Sequence, residues 1–187
     1  MTTPLAVASY TKTAITLHWL IFTLIACGFT LGHYMVDLPL SPMKLRYFSW
    51  HKWLGVTVFM FAVVRIVWRA THPVPPPPIG MPAWQKAAAG ASHMMLYILI
   101  IAIPLSGWLF SSAAGVPTVY LGLIPLPDLL SKDKPLSQFL EQIHGILNNG
   151  LAALVAIHVV AALKHYFFDR DDVLGRMLPF LKPRRLR

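Results

Sequence analysis

The sequence predicts an all-α integral membrane protein, a four-helix bundle with both termini on the cytoplasmic side. Three observations carry that expectation. Of 187 residues, 56% are hydrophobic and 12% charged, and mean hydropathy is positive, a balance outside the range of soluble domains. Apolar runs long enough to cross a hydrocarbon core about 30 Å thick recur four times along the chain. Basic residues are distributed unequally between the two sides that four crossings define. One membrane domain, residues 1–187, accounts for the whole chain and leaves no room for a separate soluble domain.

The first span covers about residues 13–35, with His18 near its start and His33 near its end. A loop containing Pro39 and Pro42 leads to the second span, about 50–70. Its ends are marked by Trp50, Trp53 and Trp68 in the manner of an aromatic belt; His51 opens it and Arg65 and Arg69 close it. The run HPVPPPPIGMP, residues 72–82, cannot be helical and favours an extended polyproline II connection. The third span, about 93–112, carries Pro104 followed by Ser106 and Gly107, where a kink is expected. A loop rich in proline and glycine then reaches the fourth span, about 138–168. The first apolar stretch is too long for a signal-peptide core and has no small-residue cleavage pattern, so no cleavable leader is expected.

With four crossings, Lys12, Arg65, Arg69, Lys86, Lys164, Arg170, Arg176, Lys182, Arg184, Arg185 and Arg187 fall on one side. Only Lys44, Arg46, Lys52, Lys132 and Lys134 fall on the other, which also holds Asp37, Asp128, Asp133 and Glu141. Both termini are therefore expected in the cytoplasm. The formal net charge of +9 does not point to nucleic acid, because the basic residues flank apolar segments and the tail LKPRRLR reads as a membrane-surface anchor. Cys27 is the single cysteine, which excludes a disulfide framework, a thiolate metal site and covalent haem attachment.

The fourth span holds the chemistry. His144, His158 and His165 follow one another at intervals of 14 and 7 residues inside an apolar helix. A step of 14 returns to within roughly 40° of the same face and climbs about 21 Å. Ionisable groups inside a bilayer are costly, so such a stripe calls for a metal, a proton path or a cofactor. Counting depth from the span ends pairs His18 with His158 in an inner layer and His51 with His144 in an outer one. Two imidazoles from facing helices are the axial ligands of a six-coordinate haem iron, whereas a structural zinc wants four ligands, and no cysteine or acid accompanies either pair. Two non-covalently held bis-histidine haems explain the pattern most economically. Arg65 lies 14 residues after His51, at the depth of the inner pair, where a haem propionate would offset the cost of burying its charge. Gly32 lies 14 residues after His18, so the first helix has no side chain at the depth of the outer pair; Gly55 and Gly145 could make similar room.

The remaining candidates divide between functional and plain readings. His165 sits about 10.5 Å beyond His158 and cannot share its iron; a quinone or proton contact and a snorkelling interfacial side chain stand level. His93 reads as interfacial, with a propionate contact as the alternative. His33 and His72 carry no ligand assignment, and Arg69 reads as a positive-inside anchor. Lys52, Lys132 and Lys134 form an outer basic rim able to steer an anion, or are plain solvated charges. Asn148 or Asn149 could bond a haem edge or a neighbouring helix.

LHWL in the first span, WHKWLG and VVRIVWR in the second, HGILNNG and IHVVAALKHYF in the fourth, and the tail motif DVLGRMLP together resemble the bacterial cytochrome b561 family. The likeness runs from about Tyr10 to Pro179. It implies a four-helix bundle in the bacterial inner membrane, two haem b groups and electron exchange with ubiquinone. By the same resemblance His18 and His158 hold the cytoplasmic haem, and His51 and His144 the periplasmic one. It also implies oxidation of periplasmic superoxide with ubiquinone as acceptor. Two other functions are kept as alternatives: a haem-bearing membrane anchor subunit of a multisubunit oxidoreductase, and a histidine-lined metal or proton transporter without haem.

Overall fold

A computed structural model describes residues 9–181. Four helices dominate it: α1 (Lys12–Val36), α2 (Pro42–Thr71), α3 (Ala83–Ala113) and α4 (Lys134–Lys164). Each is long and apolar enough to cross a membrane. The chain is thus an all-α, four-helix membrane bundle. The basic residues Lys182, Arg184, Arg185 and Arg187, expected to anchor the tail, lie outside the described residues.

Helix starts are set by local chemistry. Thr11, Ser41 and Asp133 each accept a bond from the backbone N–H three residues on, at 3.2, 3.2 and 3.0 Å. Pro42 and Pro135 occupy the first turns of α2 and α4, where a missing N–H costs nothing. These caps explain why α2 begins eight residues before the span read at 50–70. Hydropathy marks the part of a helix that needs lipid, while caps mark where the backbone begins to coil. α3 likewise starts at Ala83, well before residue 93, immediately after the non-helical proline run. α4 ends at Lys164, inside the expected 138–168 span. A single π-helical turn follows, His165–Asp169, closed by Arg170 in the left-handed conformation at φ 55°.

Adjacent helices run antiparallel, giving a terminal end and a hairpin end. At the terminal end, Arg65 of α2 reaches Ala14 of α1, and Trp68 donates to Thr11. The segment after α4 folds back over this end: Trp19 Nε1 donates to the Met177 carbonyl at 2.9 Å and Arg176 to the Pro76 carbonyl at 2.6 Å.

The hairpin end is closed by residues 114–133, which include β1 (Val119–Tyr120) paired antiparallel with β2 (Ile124–Pro125). Leu121 and Gly122 turn the hairpin at φ 54° and 73°, a left-handed region that glycine enters without steric cost and leucine does not. The loop is stitched to α2 and α3. Trp53 Nε1 donates to Val119 O (2.7 Å), Trp108 Nε1 to Pro127 O (3.1 Å), and the Thr57 and Tyr120 hydroxyls share a bond of 3.0 Å.

α1 packs on α2, α2 on α3 and α3 on α4, whereas α4 scarcely approaches the backbones of α1 and α2. Mid-bundle, Ala62, Ile100, Ile103 and Leu151 form a buried apolar layer. Leu151 lies seven residues from both His144 and His158, so this layer separates two histidine layers. The outward faces carry exposed Val64, Val67, Ile98, Ile157 and Val160, as lipid contact requires.

Candidate cofactor site: two layers of paired histidines

At the hairpin end, the rings of His51 (α2) and His144 (α4) have centroids 6.2 Å apart and planes at 85°. Both rings are held from behind. His51 Nδ1 lies 3.0 Å from the Gly28 carbonyl, which can only accept, so Nδ1 carries the proton. His144 Nδ1 lies 2.9 Å from Ser106 Oγ. That hydroxyl spends its own hydrogen on the Ile103 carbonyl at 2.8 Å and therefore accepts from His144. In both residues Nε2 is left with a free lone pair, the state a metal ligand needs.

Close helix approach makes this possible. A Cβ added to Gly32 would stand 3.1 Å from His51 Cε1, and one added to Gly107 would stand 3.1 Å from His144 Cε1. The open position expected on the first helix thus receives the His51 ring. Gly55 and Gly145 face open space. Asn148 Nδ2 donates back to the His144 carbonyl at 2.7 Å, within its own helix.

At the terminal end, His18 (α1) and His158 (α4) have centroids 6.4 Å apart and planes at 59°. Neither ring nitrogen has a hydrogen-bond partner among the described residues. A third imidazole stands beside them: His93 of α3 is 5.4 Å from His158. Arg65 reaches this layer, as its depth suggests. Its Nη1 donates to the Ala14 carbonyl at 3.0 Å, one turn before His18, and its Nε to the Tyr97 hydroxyl at 3.2 Å. Arg65 and Arg69 both lie over the Tyr97 ring, at 5.9 and 5.8 Å.

The other expected residues take separate places. His165 lies in the π turn, its Nδ1 donating to Asp171 at 2.7 Å and Asp169 at 3.0 Å, with Lys164 also on Asp169. His33 stacks on Phe29 and His72 on Trp68. Lys52 has a structural part that neither reading of it foresaw. Its ammonium donates to Ser111 Oγ, Val116 O and Pro117 O at 3.0, 3.2 and 3.0 Å, filling all three hydrogens, so it fastens the outer loop.

The residues whose part in the site the sequence did not reveal are Gly28, Ser106 and Gly107; His93, read as interfacial with a propionate contact as the alternative, stands beside His158. Ser106 and Gly107 had a signal, the Pro-Leu-Ser-Gly run, which was assigned only a kink. Gly28 acts through its carbonyl, an atom every residue possesses, so no residue type could reveal it.

This arrangement suits a planar metal cofactor. With metal–imidazole bonds of about 2 Å, two rings on opposite sides of one metal stand with centroids about 6 Å apart, as both pairs do. α4 makes few close backbone approaches to α1 and α2, the helices that carry the opposing imidazoles. Fold and site together define a membrane-embedded electron-transfer protein of the b-type cytochrome class. The chain belongs to the prokaryotic cytochrome b561 family, whose sequence profile matches residues 9–180. It is 34% identical over 168 residues to cytochrome b561 homolog 2 of Escherichia coli K12, covering 86% of each chain. Cytochrome b561 homolog 1 of the same organism is 31% identical, over 91% of this chain and 97% of that one. A Yersinia pestis protein described as a probable superoxide oxidase, CybB, is 27% identical over 91% and 96%. Membership of the family implies haem b as the cofactor.

Proposed function

We propose that the protein is a di-haem cytochrome of the bacterial inner membrane that carries electrons between a periplasmic donor and ubiquinone. The observation that carries this reading is the pair of imidazole layers, each joining α4 to a different helix and lying about 21 Å apart along α4. His18 and His158 hold one haem, and His51 and His144 the other. Arg65 places a cation at the terminal-end layer, where it would pair with a haem propionate. Bound haem b supplies a one-electron Fe(III)/Fe(II) couple. Gly28 and Ser106 keep the hairpin-end imidazoles in the tautomer that presents Nε2. Leu151 and the apolar layer around it keep water from the interval between the two sites. The terminal end is cytoplasmic by its excess of basic residues.

Superoxide is the donor we favour, from the name of the Yersinia relative. In the net reaction two superoxide ions give up one electron each and leave as O2, while ubiquinone takes up two electrons and two protons to become the quinol. His165, with Nδ1 held by two carboxylates, is a candidate to pass protons on the cytoplasmic side toward the quinone through Nε2. Purified protein mixed anaerobically with superoxide and ubiquinone is expected to form quinol faster than a protein-free control. No acceleration would remove the oxidase activity and leave haem binding standing. A colourless preparation after haem-supplemented expression would remove both.

A further inference from the structure

One large feature flanks the two-layer site and borders it at the terminal-end layer. A groove of about 690 Å³ runs between α2 and α3 along the face of the bundle, from Gly90 near the terminal end past mid-membrane to Leu105. Its flank is open to lipid, since Met94 and Ile98 are 62% and 50% exposed. At the terminal end it is polar, lined by Arg69, His93 and Tyr97; further along it is apolar, lined by Ile98, Ile101 and Leu105.

The polar end has donors to spare. Tyr97 oxygen already accepts from Arg65 Nε, which leaves the phenolic hydrogen for an acceptor elsewhere. Arg69 and His93 make no hydrogen bond or ion pair among the described residues. The same His93 is the ring that stands 5.4 Å from His158, so the groove ends against the terminal-end histidine layer.

We propose that this groove is the quinone site of the protein, entered sideways from the bilayer. The headgroup carbonyl accepts hydrogen bonds at Arg69, His93 and Tyr97, and the isoprenoid tail lies along Ile98, Ile101 and Leu105. The proposal rests on the quinone reading given above and adds a location to it. Three features select a quinone over an anionic phospholipid. Two of the three donors, Tyr97 and His93, need carry no charge, which matches neutral carbonyls better than a phosphate. The single cation, Arg69, already rests on an aromatic face. The polar end also abuts a redox layer, which is of use only to a ligand that exchanges electrons. A lipid-soluble carrier can reach this point without leaving the hydrocarbon phase.

Gly90 gives a clean test. A Cβ added there meets nothing within 4 Å, and replacing a helical glycine by leucine favours the helix, so Gly90→Leu fills the polar end without threatening the fold. With ubiquinone-1 as the probe, Gly90→Leu is expected to raise the half-saturating concentration roughly tenfold or more. Arg69→Gln should raise it by a smaller factor. Haem content and the reduced-minus-oxidised spectrum should stay at wild-type values in both. An unchanged half-saturation in Gly90→Leu would overturn the site. Loss of haem in Gly90→Leu would also overturn it, because the groove would then belong to the haem pocket. A phospholipid retained in native mass spectra and lost in Arg69→Gln, with quinone kinetics unaltered, would assign the groove to lipid instead. If wild-type protein reduces no quinone at all, the parent reading fails; if wild-type turns over and the variants match it, only the groove assignment fails.

Discussion

The two histidine layers look alike in the sequence and differ in the folded chain. At the hairpin end each imidazole is fixed from behind, His51 by Gly28 and His144 by Ser106, and the rings lie so near Gly32 and Gly107 that a Cβ added to either would stand 3.1 Å from a ring carbon. Beside it lies a loop pinned by Lys52, Trp53 and Trp108. At the terminal end, His18 and His158 have no such partners among the described residues; a third imidazole, two arginines and a tyrosine gather there, and a groove opens to lipid. Support that fixes a ligand leaves little freedom to admit anything else. The hairpin-end layer is built for rigidity, and the terminal-end layer is built for access.

That contrast can be broken experimentally, beginning where the effect is largest. Replacing His144 or His158 with Ala should each remove about one haem of the two proposed, read by pyridine haemochrome titration against protein. Loss of neither would break the assignment of layers. Gly32→Val comes next. Its branched side chain would overlap His51, and overpacking of this kind costs about 1–3 kcal/mol, so the hairpin-end haem should be depleted while the terminal-end component of the spectrum persists. Equal depletion of both would show that the layers are not independent.

Ser106→Ala sharpens the comparison further. It removes only the partner of His144 Nδ1, and losses of roughly 10- to 100-fold in metal affinity are typical for such supporting groups. The variant should release one haem faster to apomyoglobin and the other at the wild-type rate. The smallest effect is expected for Lys52→Met. Deleting three charge-assisted bonds should destabilise the outer loop by about 1–3 kcal/mol, seen as faster amide hydrogen exchange over residues 114–133 with haem content unchanged. Exchange as slow as in wild type would mean that Trp53 and Trp108 suffice to hold the loop.

Much of this architecture was legible in advance because two periods coincide. A residue every 14 positions returns to one helix face, and an apolar helix in a bilayer tolerates an imidazole only for a reason. Hence His18, His51, His144 and His158 could be paired by depth alone, and Arg65 and Gly32 placed on their levels. Helix ends were less legible: the caps at Ser41 and Asp133 and the prolines beside them start helices outside the apolar stretch that hydropathy detects. Lys52 shows the limit of reading charge by position. From sequence it is a rim cation; folded, it is also a bracket whose acceptors lie 59 to 65 residues away.

By itself, the sequence determined the class of protein, the four crossings and the level of every histidine, because period, length and hydropathy are properties of a single helix. The tertiary structure alone decided which atoms stand behind each ring. Ser106 and His144 are 38 residues apart, Gly28 and His51 23, and His93 meets His158 across two helices. Such contacts depend on how neighbouring helices are rotated about their axes. That rotation is fixed jointly by the close approaches at Gly32 and Gly107 and the stitched outer loop, and no single segment encodes it.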